Sequence, residues 1–312
     1  MALIEKLTAI ADSLRAKTGK TDKFTLDEMA NEIKGVSGPD AQIIDRTITE
    51  YSNSSITKIG DYAFYKCTNL VNVDTPESNR LGSYAFSNCS LLSSINCPLI
   101  TSIGSYTFEY CRSLKKVRFD KIVQINEYCF KYCLGLEEVI IPELTTLNGA
   151  CIFTGCQSLK KVNFPKLKSC GSYSFKDCKS LVEVNLPLVK SIPNYCFNSC
   201  SSLPYVYFSL AKSVGQYSFR NCTSLTKVDL PVATSFNTNA FNGCTSLETL
   251  IIRTETMATL SNTNAFTNTP IANGTGYIYV PSSLVDSYKT ATNWSTFESQ
   301  FRAIEDYPDI CG

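Results

Sequence analysis

A short phrase that recurs about every 22 residues constrains this chain more than any other feature of its sequence. Each copy reads aromatic-X-Phe-X-X-Cys-X-X-Leu-X-X-Val or Ile, as in the copy from Tyr106 to Val117. The spacing is constant except for a single interval that is longer by one position, and the phenylalanines lie at Phe64, Phe86, Phe108, Phe130, Phe153, Phe175, Phe197, Phe219 and Phe241, with a degenerate tenth copy at Phe266. A repeat this regular over about 200 residues indicates a solenoid of stacked coils.

The same phrase places a cysteine three positions after each of the nine phenylalanines, and these cysteines belong to a total of 15. Free cysteine behaves as a small, buried apolar residue, so we predict a column of reduced thiols. Stacked coils would bring successive cysteines to about 5 Å, from the spacing of neighbouring strands, which leaves some disulfides as the alternative. No CxxC pair or metal-ligand spacing occurs, so no metal site is expected.

Composition argues against several classes of function. The chain has no histidine and a net charge of +1, and it contains no GxSxG, P-loop or GxGxxG motif. We therefore expect no catalytic residues, no cofactor and no nucleic-acid partner. No apolar stretch approaches the length of a membrane span, so no membrane insertion is expected. The N-terminus, Met1–Lys6, does not resemble a signal peptide, which predicts synthesis in the cytoplasm and, for a role outside the cell, exit by lysis.

Within one coil, alternation predicts which side chains point inward. Leu114, Val117 and Phe119 are apolar, whereas Lys116 and Arg118 between them are charged, as in a short strand with one buried face. The Tyr-X-Phe-X-X-Cys part is expected to cross the other side as a helical or 3₁₀ turn. The predicted fold class is thus a repeat solenoid of the α/β type, with short parallel strands, helical turns and nine to ten coils of about 22–23 residues. The one longer interval predicts a bulge within residues 147–153.

Four segments follow from these patterns. Residues 1–36 contain a predicted amphipathic helix, residues 3–17, and a second short helix through residue 33 that the capping-box pattern of Thr25 and Glu28 begins. They are predicted to attach the chain to a partner or to itself, or to cap the array. Residues 37–55 are a linker and an edge strand, and residues 56–266 form the solenoid. Residues 267–312 are predicted to cap it, with a strand at residues 277–281, a serine-capped helix at residues 282–290, and a lid of Trp294, Phe297 and Phe301.

The residues Ile103-Gly104-Ser105-Tyr106-Thr107-Phe108-X-X-Cys111-X-X-Leu114-X-X-Val117 resemble the BspA-type leucine-rich repeat. This resemblance covers about residues 56–266 and implies a curved parallel-sheet solenoid that serves adhesion or the binding of proteins or glycans. It brings no catalytic residues. Residues 3–19 and 24–29 resemble a leader on tail-region proteins of phages and prophages of Gram-positive bacteria, which implies a virion location reached by lysis.

The outward strand positions vary while the core positions stay constant, so they are the candidate ligand surface. We expect that surface to include a basic patch, two tyrosines and charged neighbours: Lys115, Lys116, Arg118, Glu138, Lys161, Glu183, Tyr205, Tyr207 and Lys227. Tyr and Arg are frequent anchors of protein interfaces. The alternative is a solvated face with ion pairs such as Lys116 with Glu138.

A second column consists of tyrosines two positions before most of the phenylalanines: Tyr62, Tyr84, Tyr106, Tyr128, Tyr173, Tyr195 and Tyr217. Its regularity predicts packing between coils, and a strip on which sugars stack is the alternative.

The sequence as a whole predicts a non-enzymatic binding or adhesion protein, most specifically a phage tail-associated receptor-binding protein. By analogy with tail fibres, a trimer is the expected homo-oligomer. The expected partners are a surface protein or glycan of a bacterial host and, through residues 1–36, other tail components. The alternative is a bacterial interaction scaffold or surface adhesin of the same repeat family, which would place the chain in the cytoplasm or at the cell surface.

Overall fold

The computed structural model of the chain describes residues 46–311. It contains two compact units, Met1–Glu143 and Leu144–Gly312, which we call unit 1 and unit 2. The predicted helices at residues 3–17 and through residue 33, and the linker that follows them, lie outside the described residues, so the role predicted for residues 1–36 stays a prediction.

Unit 1 consists of two columns of short parallel strands that alternate along the chain. The first column contains β1 (Glu50–Ser52), β3 (Asn72–Asp74), β5 (Ser94–Asn96), β7 (Lys116–Arg118) and β9 (Glu138–Ile140). The second contains β2 (Lys58–Ile59), β4 (Arg80–Leu81), β6 (Ser102–Ile103) and β8 (Gln124–Asn126). Partners in the ladders are one repeat apart, as in the pair Glu50 and Asn72, so each repeat makes one coil. Strand β1 lies within the segment, residues 37–55, for which an edge strand was predicted.

Unit 2 continues with the same alternation and ends in a cap. Its first column contains β11 (Lys161–Asn163), β12 (Glu183–Asn185), β14 (Tyr205–Tyr207), β16 (Lys227–Asp229), β18 (Thr249–Ile251), β20 (Tyr277–Val280) and β21 (Phe301–Ala303). Its second contains β10 (Thr146–Asn148), β13 (Ser191–Ile192), β15 (Ser213–Val214), β17 (Ser235–Phe236) and β19 (Thr259–Leu260). The parallel-strand solenoid that the repeat predicted is therefore present in each unit.

The inward and outward positions predicted for one coil are also confirmed. Leu114, Val117 and Phe119 are buried, and Lys116 and Arg118 are exposed. The repeated phenylalanines form columns of parallel rings, with centroids 5.5 Å apart for Phe86 and Phe108 in unit 1. Each coil thus buries the apolar face that it could not bury alone, against the coils before and after it.

The side opposite the strands differs from the prediction, because the Tyr-X-Phe-X-X-Cys part contains no helix between residues 56 and 260. The N–H groups of Tyr84, Phe86 and Asn88 donate to carbonyls of the next coil, whereas those of residues 85, 87 and 89 donate to carbonyls three positions earlier. Half of the donors that a helix would use internally therefore join neighbouring coils. The backbone achieves this with two residues per coil at positive φ, such as Tyr84 at 57° and Asn88 at 64°.

The longer interval accommodates its extra residue next to the end of β10. Gly149 has a φ of 101°, a conformation that only glycine adopts without strain, and Cys151 follows at 59° in the position that tyrosine occupies in most coils. The local irregularity predicted within residues 147–153 thus lies at Gly149.

The cap of unit 2 agrees with the prediction in its strand and lid and differs in its helix. Trp294, Phe297 and Phe301 are buried, and the Trp294 indole donates to the Ala258 carbonyl at 2.7 Å. The helical part begins as a 3₁₀ turn, Ser282–Leu284, before α2 (Val285–Thr290), and it has no serine side-chain cap. The Ser282 N–H donates to the Glu305 carboxylate instead.

Two further helices complete unit 2. Helix α1 (Pro270–Asn273) precedes β20, and α3 (Pro308–Cys311) lies near the end of the chain. Residues around α3 pack against the end of the first strand column, where Cys311 joins Ile251 and Tyr279 in a small buried cluster. The last strands of that column are therefore covered by the chain itself. Further 3₁₀ turns lie at Thr263–Phe266, Trp294–Gln300 and Ile304–Asp306.

Candidate binding surface

At β7 and β9 of unit 1, the outward residues of the first strand column are mostly charged and form ion pairs. Lys116 forms an ion pair with Glu138 at 2.7 Å, and Arg118 with Asp120 at 2.9 Å. Lys115 is exposed beside them. The structure thus brings the predicted basic patch together on one face, but most of its charge is neutralised by neighbouring carboxylates. Exposed pairs of this kind contribute little to stability.

In unit 2 the same face changes character from one coil to the next. Lys161 on β11 pairs with Glu183 on β12 at 2.7 Å, in register in the parallel ladder. Tyr205 and Tyr207 on β14 both point outward, and their exposed fractions are 43% and 47%. Side chains at alternate positions of a strand share a face, so these tyrosines form one aromatic surface.

Lys227 on β16 has a different role from the one predicted for it. It is half-buried, and its amine donates to the Ile310 carbonyl of α3 at 2.6 Å, while lying 5.9 Å from the centre of the Tyr205 ring. A cation is favourable near the carbonyl end of a helix. Lys227 therefore holds the C-terminal segment on the sheet and is a neighbour of the candidate surface.

Asp229 also lies on β16, beside the tyrosines of β14. It is buried and accepts two hydrogen bonds from Arg253, at 2.8 Å and 3.3 Å. Partial burial, and after it the Asp229 carboxylate, raise the pKa of Tyr205, so its hydroxyl stays protonated over the neutral range.

Exposed apolar side chains cluster in the same two coils. Eight large hydrophobic residues are exposed within residues 46–311, and five of them lie between residues 182 and 210: Val182, Leu188, Tyr205, Tyr207 and Leu210. We call these five the apolar patch. Val182, Leu188 and Leu210 were not among the predicted site residues. Val182 could have been found from the sequence, because it is an apolar residue at an outward repeat position.

The strand ladder is interrupted at the apolar patch, where a proline removes one hydrogen-bond donor between coils. In neighbouring coils the residue before the strand donates its N–H to the preceding coil, as Thr226 does to Pro204 and Val182 to Lys160. Pro204 occupies this position and has no N–H to donate. Strand β12 belongs to one sheet with β11, and β14 begins another. The patch therefore spans a break between two sheets of unit 2.

The tyrosine column packs between coils, as predicted. Tyr84 stacks on Tyr106 with ring centroids 4.5 Å apart in unit 1, and Tyr173 on Tyr195 at the same distance in unit 2. Because each ring covers the face of the next, no sugar ring can enter between them. If sugars bind to this column, they can contact only the ring edges and hydroxyls of these half-exposed tyrosines.

Two kinds of feature are absent from the described part of the chain. Across residues 46–311, no helix is long and apolar enough to span a membrane. In the same range, no group of three or more His, Cys, Asp or Glu side chains is placed to hold a metal ion.

Sequence comparison assigns the repeat. The family described as the BspA type leucine-rich repeat region, in six copies, matches residues 47–151 and 123–248. A domain built of such coils belongs to the leucine-rich-repeat class of protein. The chain is a member of the BspA-type leucine-rich repeat family, which indicates a protein-binding or adhesin scaffold. A search of curated proteins found no significant match.

Solved structures of several bacterial repeat proteins are similar to the chain. A leucine-rich repeat protein from Bacteroides ovatus is 23% identical over 83% of this chain and 84% of that one, with a TM-score of 0.46. A leucine-rich cell surface protein from Faecalibacterium prausnitzii is 19% identical over 81% and 82%, with a TM-score of 0.41. The T. pallidum leucine-rich repeat protein is 26% identical over 57% and 78%, at 0.40. These likenesses carry no information on what this chain binds.

Proposed function

We propose that this chain is a non-enzymatic binding protein whose target docks on the apolar patch of unit 2. The observation that carries the proposal is the concentration of exposed apolar and aromatic side chains in two consecutive coils, with Tyr205 and Tyr207 side by side on one strand. An exposed apolar cluster with a polar border is typical of a protein interaction site. The Lys161–Glu183 and Asp229–Arg253 pairs provide that border.

The chemistry of the patch favours a protein partner, with a glycan as the second possibility. Val182, Leu188 and Leu210 offer aliphatic surface, which pairs with aliphatic and aromatic side chains. Tyr205 and Tyr207 combine a large apolar ring with a hydroxyl, and tyrosine is among the residues that supply most binding energy at interfaces. The parallel ladder under β14 holds both rings on a fixed backbone, which lowers the entropy lost on binding.

A cell-binding assay tests this proposal. Fluorescently labelled protein is incubated with a panel of bacterial cells, and the bound fluorescence is compared for the wild type, Tyr205→Ser/Tyr207→Ser and Lys161→Ala. The double variant should lose most of the binding, and the border variant should keep it. Protease treatment of the cells should abolish binding if the partner is a protein. If the double variant binds as well as the wild type, the apolar patch is not the site.

The more specific proposal is that the chain is a phage tail-associated receptor-binding protein that reaches the outside of the cell by lysis. Its support is the resemblance of residues 3–19 and 24–29 to leaders of tail-region proteins. Several copies on one particle, in a trimer for example, would multiply weak individual contacts into firm attachment. The competing proposal is a bacterial interaction scaffold or surface adhesin, and membership of the repeat family supports it at least as well.

Light scattering and a pull-down distinguish the phage proposal from the scaffold proposal. The full chain is compared with a version that begins near Gln42, together with a pull-down on candidate tail proteins. Self-association or capture of tail proteins that is lost on truncation supports the phage proposal. Two monomers of equal stability, with no capture, favour the scaffold. Unfolding of the shortened version would show that residues 1–36 serve as a cap.

A further inference from the structure

The turn side of unit 1 contains a groove that the proposed function does not use. Two adjoining depressions of about 440 Å³ and 310 Å³ share Tyr110 and Arg112. Their lining residues come from five successive repeats, a length of roughly 19 Å from the spacing of stacked strands. We call them the turn groove, and the lining residues that matter here are Lys66, Thr68, Asn88, Ser90, Tyr110 and Arg112.

Two tyrosines in the turn groove occupy a backbone position that disfavours them. The residue before the repeated cysteine has a positive φ in every coil, 60° at Tyr110 and 57° at Tyr132. A left-handed conformation suits glycine and asparagine and is costly for bulky side chains. Unit 2 follows this preference and has small or short polar residues at the same position: Gly155, Asp177, Ser199, Asn221 and Gly243. In the column of Tyr84 and Tyr106 the same strain is offset by stacking on both ring faces, so the environment of Tyr110 decides what its side chain does.

The Tyr110 ring is also the end of its aromatic column. It stacks on Tyr132 with centroids 5.1 Å apart, and the preceding coil has Asn88 at this position. One face of the Tyr110 ring therefore has no aromatic neighbour, and Tyr110 lines both depressions. This differs from the column of Tyr84 and Tyr106, where each ring has others on its two sides.

Two cations of the turn groove, Lys66 and Arg112, have no acidic partner among residues 46–311. On the strand face, Lys116 is paired with a carboxylate. Among residues 46–311, no carboxylate lies within ion-pair distance of Lys66 or Arg112, which contact the tyrosine rings beside them at 5.1 Å and 5.8 Å. The nearby Glu109 carboxylate pairs with Lys131 at 3.5 Å. The turn groove thus presents positive charge toward solvent.

We propose that the turn groove binds an acidic saccharide, a sugar chain that carries carboxylate or sulfate groups. Lys66 and Arg112 pair with the anionic groups, for which a guanidinium is well suited. The half-exposed Tyr110 ring, with the Arg112 guanidinium beside it, contacts the C–H groups of a sugar ring, because aromatic rings carry partial negative charge on their faces. Thr68, Asn88 and Ser90 supply hydrogen bonds for sugar hydroxyls. The volume is that of a small-ligand site, which a flat protein interface does not require.

This inference goes beyond the proposed function, because it concerns residues of unit 1 and another class of ligand. Isothermal titration of the full chain tests it with three probes: a sulfated heparin-type tetrasaccharide, a tetragalacturonate, and neutral maltotetraose. At least one acidic probe should bind and maltotetraose should not. Lys66→Gln and Arg112→Gln should each weaken binding about tenfold, the effect expected for the loss of one charge-assisted contact.

Two variants separate ligand contact from folding. Tyr110→Asn should also weaken binding about tenfold, while the melting temperature stays within a few degrees of the wild type, because asparagine tolerates a positive φ. Arg220→Gln removes a comparable cation of unit 2, 5.4 Å from the Tyr217 ring, and should leave binding unchanged.

Three outcomes would overturn the inference: no binding of either acidic probe, equal binding of all the variants, or binding of inorganic sulfate as tight as that of the acidic saccharides. The last would mean that the tyrosines and hydroxyls take no part. Loss of cell binding in the Tyr205/Tyr207 variant would not affect these results, so the two proposals can fail separately.

Discussion

The thiol of Cys111 donates a hydrogen bond to the carbonyl oxygen of Phe86, 25 residues earlier, at 3.1 Å. The same relationship recurs through both units, for example between Cys89 and Phe64 at 2.9 Å and between Cys200 and Phe175 at 3.1 Å. The Phe86 carbonyl also accepts the N–H of Cys89 in its own coil. Cysteine at this position therefore fills a small buried space and supplies a donor between coils, which alanine or valine could not do.

The first prediction concerns the oxidation state of the cysteines. All 15 are thiols in the structure, and most are buried, with Cys151 and Cys170 partly exposed. Titration with a thiol reagent in denaturant without reductant should find nearly all 15 reduced. In the folded protein at pH 8, Cys151 and Cys170 should react first, because the others are inaccessible. A titre showing most of the cysteines in disulfides would contradict the prediction.

A second prediction follows from the burial pattern of unit 2. Phe153→Ala should lower the free energy of unfolding by about 3–5 kcal/mol, because the ring is fully buried and stacks on Phe175 at 5.6 Å. Lys161→Ala should change it by less than about 0.5 kcal/mol, because its ion pair with Glu183 is exposed. Urea unfolding of both variants measures the difference. Similar losses would show that the inward and outward positions have been exchanged.

The tyrosine column allows a third prediction that reverses an ordinary rule. Tyr195 stacks between Tyr173 and Tyr217, and its φ is 58°. Both Tyr195→Ala and Tyr195→Gly lose the stacking contacts, but glycine relieves the left-handed backbone. Tyr195→Gly should therefore be more stable than Tyr195→Ala by about 1 kcal/mol, although glycine is usually the more destabilising residue. Thermal melts of the pair decide this, and a more stable alanine variant would refute the strain argument.

The fourth prediction concerns alkaline pH. Burial raises the pKa of the Cys67 and Cys97 thiols to about 12, whereas an unfolded thiol has a pKa of about 8.5. The unfolded chain thus loses these protons at lower pH than the folded chain. Their contribution to stability is complete below about pH 8.5 and is lost progressively as the pH rises toward the folded value.

Urea midpoints should accordingly be level from about pH 6 to pH 8 and fall between about pH 9 and pH 11. Cys97→Ala removes one such thiol and should show a shallower fall, by up to about 1.4 kcal/mol per pH unit. Midpoints that stay constant up to pH 11 in the wild type would contradict the assignment of buried, protonated thiols.

Much of this architecture could be predicted from the sequence, because one residue type at one repeat position has one environment in a solenoid. The burial of Leu114, Val117 and Phe119 and the exposure of Lys116 and Arg118 follow from periodicity, and the lid of Trp294 follows from the need to cap the last coil. The backbone conformation of the turn side could not be predicted in this way. Local propensity indicated a helical turn, but hydrogen bonds from Tyr84 and Phe86 to the next coil use the donors that a helix needs.

The candidate sites likewise include features that the sequence predicts and features that it does not. Tyr205, Tyr207 and the charged strand positions were recognisable in the sequence because they vary where the core is constant. The engagement of Lys227 by α3 was not, since the carbonyl of Ile310 lies 83 residues away. Nor was the turn groove, whose lining comes from five successive repeats and whose cations are distinguished only by their surroundings.

By itself the sequence determined the repeat, the parallel strands, the core and the phase of the exposed positions, since each depends on spacing within one coil. The tertiary structure alone decided which charges are neutralised, which aromatic faces are covered and where the strand ladder is interrupted. These depend on neighbours that are one repeat or more away along the chain, as Pro204 illustrates by removing a hydrogen bond that the adjacent coil would otherwise accept. Stacking, rather than local sequence, therefore determines which surfaces of this protein are available for binding.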